Sequence, residues 1–409
     1  MKPKIVIVGC GVVGAMVAYE LSQTTSAEIV VLDKQPPAQG STGAALGVLM
    51  GVISHKVKGR TWRLRETSVK RYGTLIKELA QQGENVPFNS QGIVSLCFDE
   101  KKLPRWETLK EKRRSQGWPL EIWTPDILQA RCPQIALDSV DENDDIRTVK
   151  AAIYSQADGQ VHPAALTHSL ISVAQSRGVA VHWNAVVEEL ILEKASEKTA
   201  EASARCVGVK TSEGLYEADW VVVCAGLGSA VITHLTAEPL ALMPVLGQAM
   251  EIELPKVLGD GEAPPREDRT FQPIINGDDI QCVPLGNGRY WLGATVEFPP
   301  EGTTGERFPI DAEAEGLANL QRGAARFWPA IAQAKVLKTW SGLRPRPVGQ
   351  PAPVIKPLGG TQNVVIATGH YRNGVLLAPA TAQQVCQLIL GDGETHSAAG
   401  GKFRVVSRE

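Results

Sequence analysis

The residues best placed to do chemistry come first in the chain. Lys4-Ile5-Val6-Ile7-Val8 runs directly into Gly9-Cys10-Gly11-Val12-Val13-Gly14, and Asp33 closes a second apolar run, Glu28-Ile29-Val30-Val31-Leu32. A strand, a glycine turn, a helix, a second strand and an acid about twenty residues on make up the dinucleotide-binding pattern. Gly9 permits the tight turn, Gly11 lets backbone approach a pyrophosphate, and Gly14 lets the helix pack on the strand. The helix start offers unpaired N–H groups and a positive dipole end to phosphates. Asp33 can accept from the ribose hydroxyls of an adenosine and would repel a 2′-phosphate, which argues against NADP. On these residues alone NAD and FAD both stay open.

The spacing of apolar residues says which elements must carry this turn. Residues 1–35 read as strand, helix, strand, and 60–83 as a helix with Leu64, Val69, Tyr72, Leu75, Ile76 and Leu79 at helical intervals. A strand is expected at 92–98, a charged helical stretch at 101–132 and a loop at 143–145. Asp158-Gly159 introduces a helix over 163–177, with Pro163 in its first turn. Segments 179–183, 187–192 and 206–211 read as strands, the last two as a hairpin around a polar tip at 195–205. Residues 218–226 form a buried strand ending in small residues, as where a sheet passes under a dinucleotide.

From 242 to 340 the pattern changes to short strands (249–254, 280–284, 290–294) and turns, with a Pro-, Gly- and acid-rich loop at 255–270. A buried strand at 364–368 and a helix at 376–390 close the fold. Nucleotide-type elements therefore sit at 1–50, 160–230 and 364–390, whereas a NAD dehydrogenase more often keeps them contiguous. The predicted class is α/β: a Rossmann-like FAD-binding domain assembled from discontinuous segments, plus an α+β substrate domain with a mainly antiparallel sheet. The boundaries are 1–85, 145–235 and 345–395 for the first, 86–144 and 236–344 for the second, and 396–409 for a loose tail.

A chain of 409 residues suits two domains with ample core. Forty-two basic against forty-four acidic residues leave a net charge of −2, which excludes a nucleic-acid footprint. Cysteines 10, 97, 132, 206, 224, 282 and 386 show no CxxC and no Cys/His cluster at metal spacing. That predicts reduced thiols, a cytoplasmic setting and no metal site. A first strand beginning at residue 4 leaves no room for a signal peptide. The apolar run 44–53, followed by Lys56, Lys58, Arg60, Arg63 and Arg65, is too short to span a bilayer, so membrane contact is at most peripheral. Its glycines Gly43, Gly47 and Gly51 suit backbone packed against a ligand.

Taken in order, the motifs resemble the flavin amine oxidases of the D-amino acid oxidase type, closest to glycine oxidase. The resemblance covers nearly the whole chain. It rests on the Gly9-to-Gly14 turn with Asp33, on Ser41-Thr42-Gly43-Ala44-Ala45-Leu46-Gly47-Val48-Leu49, on Asp158-Gly159 with Pro163, and on the strand at 218–226. Pro244-Val245-Leu246-Gly247-Gln248, Leu292-Gly293-Ala294-Thr295-Val296-Glu297 and Trp340-Ser341-Gly342-Leu343-Arg344-Pro345 continue it, and His370-Tyr371-Arg372-Asn373-Gly374-Val375-Leu376 ends it. The resemblance implies that Val12, Val13, Asp33 and Lys34 hold the ADP half of non-covalent FAD, with Val187 at the adenine side. Ser41, Thr42, Leu46, Gly47 and Val48 would run beside the pyrophosphate and flavin, Gly226 would end the strand beneath the dinucleotide, and His370 to Leu376 would cradle the isoalloxazine. Arg344 would grip the α-carboxylate of a small amino acid, and Arg372 would offer its backbone carbonyl to the amine. Charge gathering at flavin N1 and O2 suits the free N–H groups of the helix start at Gly374, Val375 and Leu376. The electron acceptor is oxygen or a quinone, and a homo-oligomer stays open.

Four departures from the glycine oxidase pattern concern the roof of the site. Gln281 stands where the family has a substrate-facing tyrosine, and Leu246 where a basic residue is usual. The stretch after Pro345 lacks an Asp-Gly turn, and Arg346 adds a cation near the entrance. These predict tolerance of a different or N-substituted amino acid. Cys282 is the cysteine nearest the segments placed beside the flavin. His370 reads as a flavin contact, whereas His55, His162, His168, His182, His234 and His396 have no motif partners and read as structural. An NAD-dependent dehydrogenase and a non-catalytic flavin-binding protein are the competing classes.

Overall fold

Alternation is missing from the strand that opens the chain. Ile5, Val6, Ile7 and Val8 are all at most 4% exposed, as required of a strand covered on both faces. The computed structural model describes residues 2–140, 146–193, 203–255, 271–300 and 314–391. In it this strand (β1, Lys4–Val8) lies inside a six-stranded sheet. The order is β11 (Ala180–Trp183), β2 (Glu28–Asp33), β1, β15 (Trp220–Val223), β22 (Val364–Thr368) and β21 (Val354–Pro357). Every neighbouring pair is parallel except β21 with β22. Segments distant in sequence thus share one sheet.

Helices cover one face of it: α1 (Val12–Thr24), α5 (Pro163–Ser176), α8 (Gly374–Leu390) and α2 (Gly59–Gln81). Their core joins Ile5 and Ile7 to Met16, Leu170 and Leu377. The other face buries Val6 and Val8 against Leu190, Cys206 and Val209, from the antiparallel sheet of β12 (Val187–Glu193), β13 (Arg205–Thr211) and β14 (Gly214–Glu217). Short α6 (Gly228–Thr233) adds Ile232 to that core.

The second large sheet has eight strands in the order β20 (Lys335–Pro347), β16 (Leu242–Glu253), β19 (Arg289–Gly293), β18 (Ile280–Gly286), β17 (Ile274–Gly277), β5 (Ile93–Cys97), β9 (Ala151–Ser155) and β6 (Glu121–Trp123). Only β17 and β5 run parallel. Small ladders complete the described strands: β3 (Val48–Leu49), β10 (Gly159–Val161) and β4 (Phe88–Asn89), then β7 (Asp138–Val140) with β8 (Ile146–Thr148).

Two expectations are corrected here. The stretch 101–132 is not one helical run, because β6 separates α3 (Leu103–Ser115) from α4 (Pro125–Arg131). Between 242 and 340 the strands β16 and β20 are 12 and 13 residues long and paired throughout, and an unforeseen helix, α7 (Ala314–Phe327), buries Leu320, Ala324 and Phe327 against Met250 and Ile252. The expected loop at 143–145, all but the first residue of the loop at 255–270, residues 195–202 of the tip at 195–205, His396 and the tail lie outside the described residues.

How α2 docks on α8 follows from a proline. Pro379 inside α8 has no N–H, so the carbonyl four residues earlier, on Val375, loses its helical donor. Tyr72 of α2, fully buried, supplies one from its Oη at 2.5 Å. One turn back along α2, Ser68 Oγ accepts from Ala380 N at 3.2 Å. A polar stripe on α2 therefore reads the backbone of α8.

Candidate functional site

A single cavity of about 870 Å³ is lined by residues from both ends of the chain. At one end is the glycine turn. Gly9 sits at φ +101, and a Cβ on it would lie 2.7 Å from the Cys224 carbonyl oxygen. A Cβ on Gly14 would lie 1.9 Å from Gly9 O, so α1 starts pressed onto β1, and Gly14 packs behind the cavity rather than lining it. Gly11, Val12 and Val13 do line it. One correction applies to the expected free N–H groups: Val12 N donates to Thr42 Oγ1 at 3.0 Å. Asp33, half-buried at the end of β2, accepts from Cys10 N and from Gln35 N (2.9 Å), so its carboxylate also fixes the glycine turn. Burial pushes its pKa up, against those N–H bonds. Lys34, Val187 and Gly226 lie around the same end.

Ser41, Thr42, Leu46, Gly47 and Val48 follow along the wall. This segment is tied to β20: Ser41 Oγ donates to Leu343 O (2.6 Å), Trp340 Nε1 donates to Ala44 O (3.1 Å), and a Cβ on Gly342 would meet Ala44 Cβ at 2.3 Å. The glycines Gly43, Gly47 and Gly51 pack closely against protein, and Gly47 also lines the cavity. Added Cβ atoms would strike Ala38 O at Gly43, Val161 O at Gly47 and Val69 Cγ2 at Gly51. Leu46, Leu49, Val52 and Ile53 are buried, so this run offers no apolar face to a membrane. Among the described residues no helix is long and apolar enough to cross one.

The segment after Leu49 is gripped from two sides. Asp158, 2% exposed, accepts from Gly51 N (2.7 Å) and Val52 N (2.8 Å) on Oδ1 and from Ile53 N (2.7 Å) on Oδ2. Arg113, fully buried over the Trp62 ring, donates to the carbonyls of Val52 (2.6 Å), Ser54 (2.7 Å) and Lys56 (3.1 Å).

At the far end, His370, Tyr371, Arg372, Asn373, Gly374, Val375 and Leu376 line the cavity with Gln281 and Arg344. Gly374 begins α8, whose first N–H groups have no acceptor within the helix. His370 is a buried anchor: its Nε2 meets Thr381 Oγ1 at 2.8 Å, and burial, helped by Arg60, brings its pKa down to about 3. Gln281 on β18 donates from Nε2 to Met50 Sδ at 3.3 Å. Leu246 is buried, and what it contributes is a carbonyl: Arg344 Nη1 donates to Leu246 O and Thr295 O, both at 3.0 Å. Among the described residues no other hydrogen bond engages this guanidinium. Burial, then the nearby Arg372, lowers the Arg344 pKa from its ordinary value. Arg372 is exposed, and Arg346 lies over the Phe298 and Tyr371 rings at 5.1 and 5.5 Å. Met50, Ser54, Arg65 and Asp279 also line the cavity; no motif singled them out.

A model of the FAD dependent oxidoreductase family matches residues 4–388. The chain belongs to that family. Its relatives include a bifunctional protein ThiO/ThiG of Synechocystis sp., 26% identical over 94% of this chain and 51% of the other, and the glycine oxidase of Bacillus licheniformis, 26% identical over 95% and 93%. The chain thus spans about half the length of the bifunctional relatives it matches. The crystal structure of glycine oxidase from Geobacillus kaustophilus superposes with a TM-score of 0.77 at 24% identity, covering 95% of each chain.

The cofactor of this FAD-dependent oxidoreductase is FAD, and the cavity suits it. A glycine turn with no Cβ to obstruct a pyrophosphate, a helix start and an acid stand at one end, and a second helix start stands at the other.

Two expected results arise directly from this geometry. A Cβ at Gly247, which pairs with Gly342 across β16 and β20, would lie 2.1 Å from Arg344 Nη2. Gly247→Ala should therefore displace the guanidinium and raise the KM for a carboxylate substrate about tenfold or more, the scale of one charge-assisted hydrogen bond. Steady-state kinetics at constant FAD content check this. The second concerns acid. His370 at about 3, and His55 at about 4 through burial and then Arg105 and Arg113, stay neutral when folded but protonate near 6.5 when unfolded. Stability should be complete above that pH and fall below it, by about 2 kcal/mol at pH 5 for His370 alone. Denaturant midpoints at pH 7 and 5 measure it, and His370→Gln should flatten the slope.

Proposed function

We propose that this chain oxidises a small amino acid (glycine, sarcosine or a small D-amino acid) to an imino acid, which water hydrolyses to an oxo acid and ammonia, or methylamine when the amine is N-methylated. Oxygen or a quinone is the final acceptor. The observation that carries the reading is Arg344: a guanidinium held by two carbonyls inside the cavity that begins at the glycine turn. Bound FAD supplies the two-electron acceptor for the substrate α C–H.

On this reading Gly9, Gly11, Val12, Val13, Asp33, Lys34, Thr42 and Val187 would hold the ADP half, and Gly374, Val375 and Leu376 would hold the flavin end, where their N–H groups would stabilise charge gathered on the ring. Arg344 takes the substrate carboxylate as a forked pair, and the Arg372 carbonyl accepts from the amine, which together aim the α C–H at the ring. Gln281 replaces an aromatic wall with a polar amide already engaged by Met50, leaving room for an N-substituent. FAD is held without a covalent bond, in keeping with Cys282 lying off the cavity and with burial pushing the Cys224 thiol up to about 12.

The test is anaerobic bleaching of the flavin by glycine, sarcosine, D-alanine and proline, followed by turnover with oxygen or an artificial acceptor. Bleaching by none of them sinks the reading, and a strict preference for glycine refutes the tolerance assigned to Gln281. In the same samples, acid precipitation should leave the flavin in the supernatant.

A further inference from the structure

Three residues of α2, Arg65, Ser68 and Tyr72, point at α8. Ser68 and Tyr72 end on its backbone, each with a hydrogen-bond partner there. Arg65 does not. It is 8% exposed, its Nε donates to Ser54 Oγ at 3.3 Å and its Nη2 to Asn373 Oδ1 at 3.1 Å, while Nη1 is buried with no partner. Among the described residues no carboxylate pairs with it. Asp158, the acid whose charge reaches Arg65, is engaged by three backbone N–H groups of the 51–53 segment. A buried cation with an unsatisfied donor is unfavourable unless an anionic or strongly accepting group completes it.

Asn373 is the residue immediately before α8, and Arg65 lines the same cavity as the first turn of that helix. The Arg65 guanidinium, whose Nη1 is itself closed off from solvent, and the positive end of the helix dipole therefore border one region of the cavity. We propose that Arg65 and the α8 N-terminus together form an anion site for the N1–C2=O edge of the FAD ring, so that Arg65 sets the electron affinity of the cofactor. This rests on the ring lying against Gly374, Val375 and Leu376. Asn373 is then a positioning residue, holding the guanidinium toward the ring.

Sulfite tests the charge without any amino acid substrate. Its sulfur lone pair forms a bond to flavin N5, and an electron pair of the ring moves onto N1–C2=O, which a neighbouring cation stabilises. In holoenzyme, Arg65→Met should raise the sulfite Kd about 10- to 100-fold, the range of a charge-assisted hydrogen bond, and raise the pKa of the flavin N3–H, read from absorbance against pH. Arg65→Lys should fall between Arg65→Met and the native protein. Should Arg65→Met fail to retain FAD, Arg65→Gln removes the charge while keeping N–H donors and serves the same comparison.

An unchanged sulfite Kd and N3–H pKa in the uncharged variant overturns the proposal. If those stay unchanged while KM rises tenfold for aspartate but not for glycine, the anion is a second substrate carboxylate and the proposal is again overturned. Failure of the amino acid reading looks different: no amino acid bleaches the native flavin, while sulfite still distinguishes the variants.

Discussion

Arg344→Met should lower kcat/KM for the preferred amino acid about 10²- to 10⁴-fold, the loss expected for two charge-assisted hydrogen bonds in a forked pair. The guanidinium is already committed on one edge, where Nη1 holds the Leu246 and Thr295 carbonyls, which leaves the opposite edge for a carboxylate. Because that carboxylate is held alike before and during reaction, much of the loss should appear in KM. A further drop in kcat should report lost aim of the α C–H. Arg344→Lys keeps the charge without the fork and should fall between the two. Steady-state kinetics on protein with unchanged FAD content decide it, and a kcat/KM within tenfold of native for Arg344→Met would remove the basis of the proposed function.

The second large effect is on folding. Asp158→Ala should strongly destabilise the fold, since it strands the Val52 and Ile53 N–H groups in the interior and leaves Gly51 N only the Leu49 carbonyl at 3.1 Å. At about 1–3 kcal/mol for each stranded group, that loss takes much of the 5–15 kcal/mol stability of a typical protein. Asp158→Asn should retain a weakened fold, because an amide oxygen can still accept while its NH₂ faces a donor. Denaturant midpoints at constant m-value measure the difference. A midpoint for Asp158→Ala equal to that of the native protein would show that this carboxylate does not organise the 51–53 segment.

The glycine turn was legible in sequence because every requirement there is local: strand, φ above zero, helix start and acid lie within thirty-odd residues. The long strands β16 and β20 were not, since Pro244, Gly247, Gly342 and Pro345 read as turn residues. Gly247 and Gly342 are there for space, the first to admit Arg344 and the second to admit Ala44. Helix α3 was overextended because Gly117-Trp118-Pro119, the break before β6, sits inside a charged stretch. Arg65 was visible only as one of several basic residues after an apolar run. Its inward direction depends on α8, more than three hundred residues away, and on a proline gap that no local pattern discloses.

Ser41 and Ala44 are bonded to the very strand that carries Arg344. The floor and roof of the cavity are riveted together at that seam, so a clamshell opening about it would have to break both rivets at once. Exposed Arg372 and Asp279, which also line the cavity, are side chains that can shift without breaking that seam, so on the proposed function they mark a doorway that needs no hinge.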